Sequence, residues 1–104
     1  MIQKALFVRL DVKTGKESEV EDFLRSGLPV VQNEPGTMTW YAIKMGSSEY
    51  AIFDTFENDE GRKAHLTGQL AKLLMEKTNE FFTGPPYIEQ VDVIAVKEQS
   101  DVHA

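Results

Sequence analysis

Of the two histidines in this 104-residue chain, His65 and His103, only His65 falls within a patterned segment. An imidazole with a free pKa near ~6.5 can take or give a proton at neutral pH. His65 stands between Ala64 and Leu66 at the edge of the apolar stripe of a helical run, and the Thr67-Gly68 pair breaks that run and could aim the ring into a pocket. A half-exposed ring bonded to a nearby carboxylate would account for the same residues. Trp40 and Tyr41 are adjacent on a strand and face opposite sides of a sheet, so one can line a pocket while the other packs elsewhere or at an interface. Trp40 is the expected pocket aromatic. Phe53 shares strand parity with Ala51 and Thr55, whose small size leaves space for a ligand. Arg9 interrupts an alternating strand and could bind an anionic oxygen, or it is an exposed charge paired with Asp11 or Asp54. Asp54 and Asn33 have less to recommend them, and a turn role before Pro35-Gly36 explains Asn33 fully.

Several chemistries are excluded. The chain has no cysteine, which removes disulfides, thiolate metal sites and cysteine nucleophiles. One usable histidine is too few for a metal site, nothing resembles a nucleophile elbow, and the glycines form no phosphate-cradling loop. A net charge of −6 argues against nucleic acid and against anionic membranes. No run approaches the ~20 apolar residues of a membrane span. A strand pattern begins almost at the first residue with no leader-like segment before it, so cytosol is the expected location.

The elements that must position these residues are legible from periodicity. Residues 5–12 alternate Leu6, Val8, Leu10 and Val12 against Phe7, Arg9 and Asp11, a strand pattern. Residues 17–28 place Val20, Phe23, Leu24 and Leu28 at helical spacing, with Gly27 and Pro29 expected to end the helix. Residues 37–45 and 49–56 read as a hairpin around Gly46-Ser47-Ser48, with Gly46 supplying a positive φ. Asn58 or Asp59 caps a helix that breaks at Thr67-Gly68, resumes over 69–82 and ends at Gly84-Pro85-Pro86. A last strand spans 87–97, making one domain over 1–97 with a polar tail over 98–104.

The order β-α-β-β-α-β predicts an α+β, ferredoxin-like fold: a four-stranded antiparallel sheet with both helices on one face. The hairpin is apolar on both sides, so the face without helices needs a cover. A homodimer packed sheet against sheet is the expectation.

At this point the residues carry a resemblance. Glu34-Pro-Gly-Thr, Trp40-Tyr41, Phe53-Asp54-Thr55-Phe56, Ala64-His65-Leu66, Leu73-Leu74 and Pro85-Pro86-Tyr87-Ile88-Glu89 together resemble the antibiotic biosynthesis monooxygenase domain family, from about residue 6 to 97. The resemblance implies a dimeric α/β barrel with a pocket in each subunit between sheet and helices. It also implies oxidation of a small aromatic or quinol substrate by dioxygen with no metal, flavin or haem. A site of that kind needs an apolar pocket, a group to deprotonate a phenol and dry space for oxygen. His65 is the candidate base or hydrogen-bond partner, with Trp40, Phe53, Tyr41 and Arg9 as substrate contacts. The alternative is a non-catalytic dimeric module that binds a small ligand, haem included. Haem-degrading relatives pair a helix histidine with Asn and Trp, but Glu57 and Asn58 do not supply the Trp and residues 5–12 hold no Asn.

Overall fold

A computed structural model describes residues 1–98. Strand β1 (Lys4–Asp11) leads into helix α1 (Glu17–Gln32), then the hairpin strands β2 (Thr37–Lys44) and β3 (Glu49–Phe56). Helices α2 (Asp59–Leu66) and α3 (Gln69–Glu76), a single turn α4 (Thr78–Phe81) and strand β4 (Tyr87–Asp92) complete the domain. The strands pair antiparallel in the order β2-β3-β1-β4. This is the ferredoxin-like α+β fold expected from the element order.

Strand parity decides which face the helices cover. Leu6, Val8, Leu10 and Val12 of β1 and Tyr50, Ile52 and Phe56 of β3 are buried with Val20 and Leu24 of α1 and Leu74 of α3. Register sets Leu6 opposite Asp54, Val8 opposite Ile52 and Leu10 opposite Tyr50. One carboxylate, Asp54, is therefore built into the apolar face. The other face carries a row in which Tyr41 and Phe7 flank Phe53 as its register partners, and among the described residues no helix covers it.

Four expectations are corrected. Helix α1 runs through Pro29 to Gln32 rather than stopping near Leu28. Proline deletes one backbone donor, but burial of Val31 holds the last turn in place. Gly27 is a packing residue: a Cβ there would lie 3.1 Å from Leu70 Cδ1 and 3.5 Å from Trp40 Cη2. The hairpin closes without a positive φ at Gly46, through Met45 and Gly46 N–H groups that both donate to the Glu49 carbonyl; among the described residues only Gly15 has a positive φ. The run over 69–82 divides at Lys77, whose N–H donates to the carbonyls of Leu73 and Leu74. Strand β4 ends at Asp92, with one further bond from Val93 N–H to Gln3 O, rather than reaching Lys97. Residues 99–104 of the expected tail, and His103 with them, lie outside the described residues.

The break at Thr67-Gly68 is present, separating α2 from α3. Asn58 caps α2, its side chain accepting from Gly61 N–H at 3.0 Å. Arg62, buried on the same helix, donates to the carbonyls of Ala5 and Val91 and to Asp59. These contacts tie α2 to β1 and β4, and α2 carries His65. Among the described residues no helix is long and apolar enough to cross a membrane.

Candidate functional site

A cavity of about 220 Å³ lies between the sheet and the paired helices α2 and α3. Leu6, Val8 and Ile52 form its floor from the sheet. Leu66, Leu70 and Leu74 wall it from the helices, and Ala71, Met75 and Ile88 complete it toward the β4 edge. Its walls are aliphatic throughout except for His65. An apolar cavity of about 150 Å³ is enough to take up benzene, whereas drug-sized ligands occupy roughly 300 Å³ or more. The space suits one ring or its equivalent.

His65 is clamped between two carboxylates. Its Nδ1 lies 2.6 Å from Glu34 Oε1, which also accepts from Thr37 Oγ1 at 2.7 Å. Its Nε2 lies 2.7 Å from Asp54 Oδ2. Neither Asp54 oxygen accepts a well-aligned hydrogen bond among the described residues, so the second contact is a short ion pair. The attraction there is ionic. Exposure falls along the cluster, from 19% for the Glu34 side chain to 9% for His65 and zero for Asp54.

Backbone packing fixes this geometry. Gly36, in the turn after Glu34, meets Gly61 of α2 so closely that a Cβ on Gly36 would sit 2.8 Å from Gly61 Cα. Only paired glycines let the turn and the helix approach so near. That approach brings Glu34 to His65. Phe56 packs beside the imidazole, ring centroids 5.5 Å apart.

Two ionised carboxylates facing both ring nitrogens favour an imidazolium, since a neutral ring would turn a lone pair toward one of them. Burial alone would push the His65 pKa down, but Asp54 and Glu34 outweigh it and hold the value above that of a free histidine. Burial pushes the Asp54 carboxyl up, and the neighbouring His65 offsets only part of the effect. His65 and Asp54 titrate as a coupled pair. Among the described residues no group of three or more His, Cys, Asp or Glu is arranged to hold a metal ion.

The residues singled out from sequence divide between the two faces of the sheet. His65 lines the cavity. Trp40 is on the helix-covered side, half-buried near Gly27 and opposite Asp54 in register, but it does not line the cavity, and its Nε1 has no partner. Phe53 and Tyr41 lie on the open face, with Tyr41 54% exposed, so neither reaches the cavity. Their parity follows from the burial of Ile52 and Asp54 on the opposite side. Arg9 is also on the open face, where it donates to Glu49 at 2.6 Å and lies 3.9 Å from Asp11. Asn33 closes α1 through its own backbone N–H. Glu34 as a partner of His65 was not visible in sequence. Asp54 left a signal, because it is the one charged residue on the strand parity of Tyr50, Ile52 and Phe56.

A solved structure closely similar to this one is the NE2512 protein of unknown function from Nitrosomonas europaea, 44% identical with a TM-score of 0.93, the match covering 96% of this chain and 97% of that one. The chain belongs to the NE2512 family. Its fold is that of the antibiotic biosynthesis monooxygenase-like proteins. A structure named "putative antibiotic biosynthesis monooxygenase" from Nitrosomonas europaea matches at TM-score 0.79 and 14% identity over 88% of this chain and 90% of that one. Another of that name, from Caulobacter crescentus CB15, matches at TM-score 0.78 and 20% identity over 90% and 92%. No protein-family model matches the chain, and no protein of curated function matches it.

Proposed function

We propose that this protein is a cofactor-independent, cytosolic monooxygenase that takes a small phenol or quinol into the cavity beneath α3 and oxidises it with dioxygen. The observation that carries the reading is the composition of the cavity wall: aliphatic throughout, with one polar group, and that group held by two carboxylates. A neutral phenol transfers an electron to oxygen slowly, and its phenolate does so readily. In this reading His65, the polar group of the wall, takes the hydroxyl proton once one of its carboxylate contacts opens and its own proton passes to that carboxylate, and the aliphatic walls keep water from the radical pair. The overall change balances as phenol plus dioxygen giving quinone plus water, or quinol plus dioxygen giving hydroxyquinone plus water. One oxygen atom joins the ring, and the other leaves with two substrate hydrogens.

Subunits pair through the open sheet face in this reading. The row of Tyr41, Phe53 and Phe7 supplies an apolar surface that no helix covers. The active unit is then a homodimer with one cavity per subunit.

Oxygen uptake with monocyclic quinols, compared between wild type and His65→Leu after subtraction of autoxidation, tests the assignment. Uptake by the wild type that is lost in the variant is expected; equal uptake would remove His65 from the chemistry. A ligand-binding role without turnover is favoured by one feature, the engagement of both His65 nitrogens. Ligand-dependent thermal stabilisation with no oxygenated product by mass spectrometry would establish it.

A further inference from the structure

The helices leave part of their own side of the sheet uncovered. An open groove of about 660 Å³ runs between α1 and the edge strand β2, within the roughly 300–1,000 Å³ of small-molecule sites. Glu21, Leu24, Arg25 and Leu28 line it from α1 at the i, i+3, i+4, i+7 spacing of one helix face. Trp40, Ala42 and Lys44 line it from β2, on the helix side because their register partners are Asp54, Ile52 and Tyr50. Ala42 is too short to reach α1, so it stays exposed beside the buried Ile52, and Leu28 on the opposite wall is 45% exposed.

The groove is apolar at one end and charged at the other. Leu28 and Trp40 stand together at the first, and Glu21 meets Lys44 at the second. Glu21 is already occupied: it accepts from the Tyr50 hydroxyl at 2.5 Å and from Lys44 and Arg25 at 3.4 Å each. Arg25 also reaches Asp22 at 3.3 Å, outside the groove. Lys44 and Arg25 remain 54% and 72% exposed and keep unused N–H donors, since an ammonium has three and a guanidinium five. Trp40 Nε1 is a further donor, buried without a partner among the described residues. The side-chain polar groups still to be met are therefore donors, and the lining residues carry one net positive charge. An acceptor-only anionic head complements them, and an ammonium does not.

We propose that this groove is a second binding site, separate from the cavity beneath α3, for an amphipathic monocarboxylate of fatty-acid type. Its apolar chain lies over Ala42 between Leu28 and Trp40, and its carboxylate meets Lys44 and Arg25.

Decanoate and decyltrimethylammonium, each below its micelle concentration, are titrated into wild type, Ala42→Leu and the double variant Arg25→Gln/Lys44→Gln. Trp40 fluorescence and calorimetry report binding. Ala42, Arg25 and Lys44 are exposed, so these changes spare the core. The wild type binds decanoate at least about tenfold more tightly than decyltrimethylammonium. The double variant binds decanoate at least about fivefold more weakly than the wild type, and Ala42→Leu, which fills the gap, abolishes the Trp40 change. No binding of decanoate, equal affinity for the two amphiphiles, an unchanged affinity in the double variant, or a Trp40 response that survives Ala42→Leu would each overturn the proposal. Oxygen uptake at the α3 cavity is unchanged in both variants, so a failure of the monooxygenase reading leaves this site untouched.

Discussion

Replacing His65 by leucine keeps most of the side-chain volume and removes the charge that Asp54 is built to meet. Asp54 is then a carboxylate with zero exposure and no counter-ion. It either stays ionised in an apolar site or binds a proton, and the cheaper choice sets the loss. At pH 7 protonation of a carboxyl with an unfolded pKa near 3.9 costs about 1.36 × (7 − 3.9), or roughly 4 kcal/mol. Removal of one partner from a buried ion pair falls in the same range, about 3–5 kcal/mol. At pH 5 the same arithmetic gives about 1.5 kcal/mol, so the variant recovers much of its deficit on acidification. The wild type behaves differently. His65, with its raised pKa, contributes fully below the unfolded value near ~6.5 and loses that contribution only as pH rises through its folded value. Urea unfolding followed by Trp40, the one tryptophan, measures both proteins across this range. Adding Asp54→Asn to His65→Leu restores most of the loss at pH 7. A deficit below about 1 kcal/mol at pH 7, or one equal at pH 5 and pH 7, would refute the ion-pair account.

Three further outcomes follow from particular contacts. Asn58→Ala removes the α2 cap and lowers stability by about 0.5–2 kcal/mol in urea unfolding. Gly61→Ala places a Cβ 2.8 Å from the Gly36 carbonyl oxygen, where backbone must shift; a loss of about 1–3 kcal/mol is expected, together with a changed His65 imidazole NMR shift as Glu34 moves away. Phe53→Asp puts a charge at the centre of the open face; on the proposed dimer, sedimentation is expected to give dimer for the wild type and monomer for the variant, with the helix-side core intact by near-UV circular dichroism.

Much of this fold was legible because its signals are local. The alternation in β1, the Asn58 cap and the Thr67-Gly68 break each rest on neighbours within a few residues. Where reading failed, a tertiary contact decided. Pro29 and Gly27 look like a helix end, yet Val31 has a core to enter and Gly27 a leucine and a tryptophan to admit. The site followed the same division. His65 could be singled out by residue type alone, but its carboxylates come from positions 31 and 11 residues away along the chain. Phe53 reads as a ligand-side residue because its small neighbours suggest space, but Ala51 and Thr55 are themselves buried on the face away from the cavity, which is floored by Ile52. An Asp on the strand parity of Tyr50, Ile52 and Phe56 was the one clue to the cluster, since a lone charge on a buried face needs a partner.

The most direct test of the account is oxygen consumption with 4-alkylphenols and the corresponding quinols by wild type, His65→Leu and Ala71→Leu, the last filling the cavity with an extra side chain. The account predicts uptake by the wild type, with one labelled oxygen atom from dioxygen recovered in the quinone, and uptake at the autoxidation background in both variants. Uptake that survives filling of the cavity would place the chemistry elsewhere on the protein and contradict the assignment of this site.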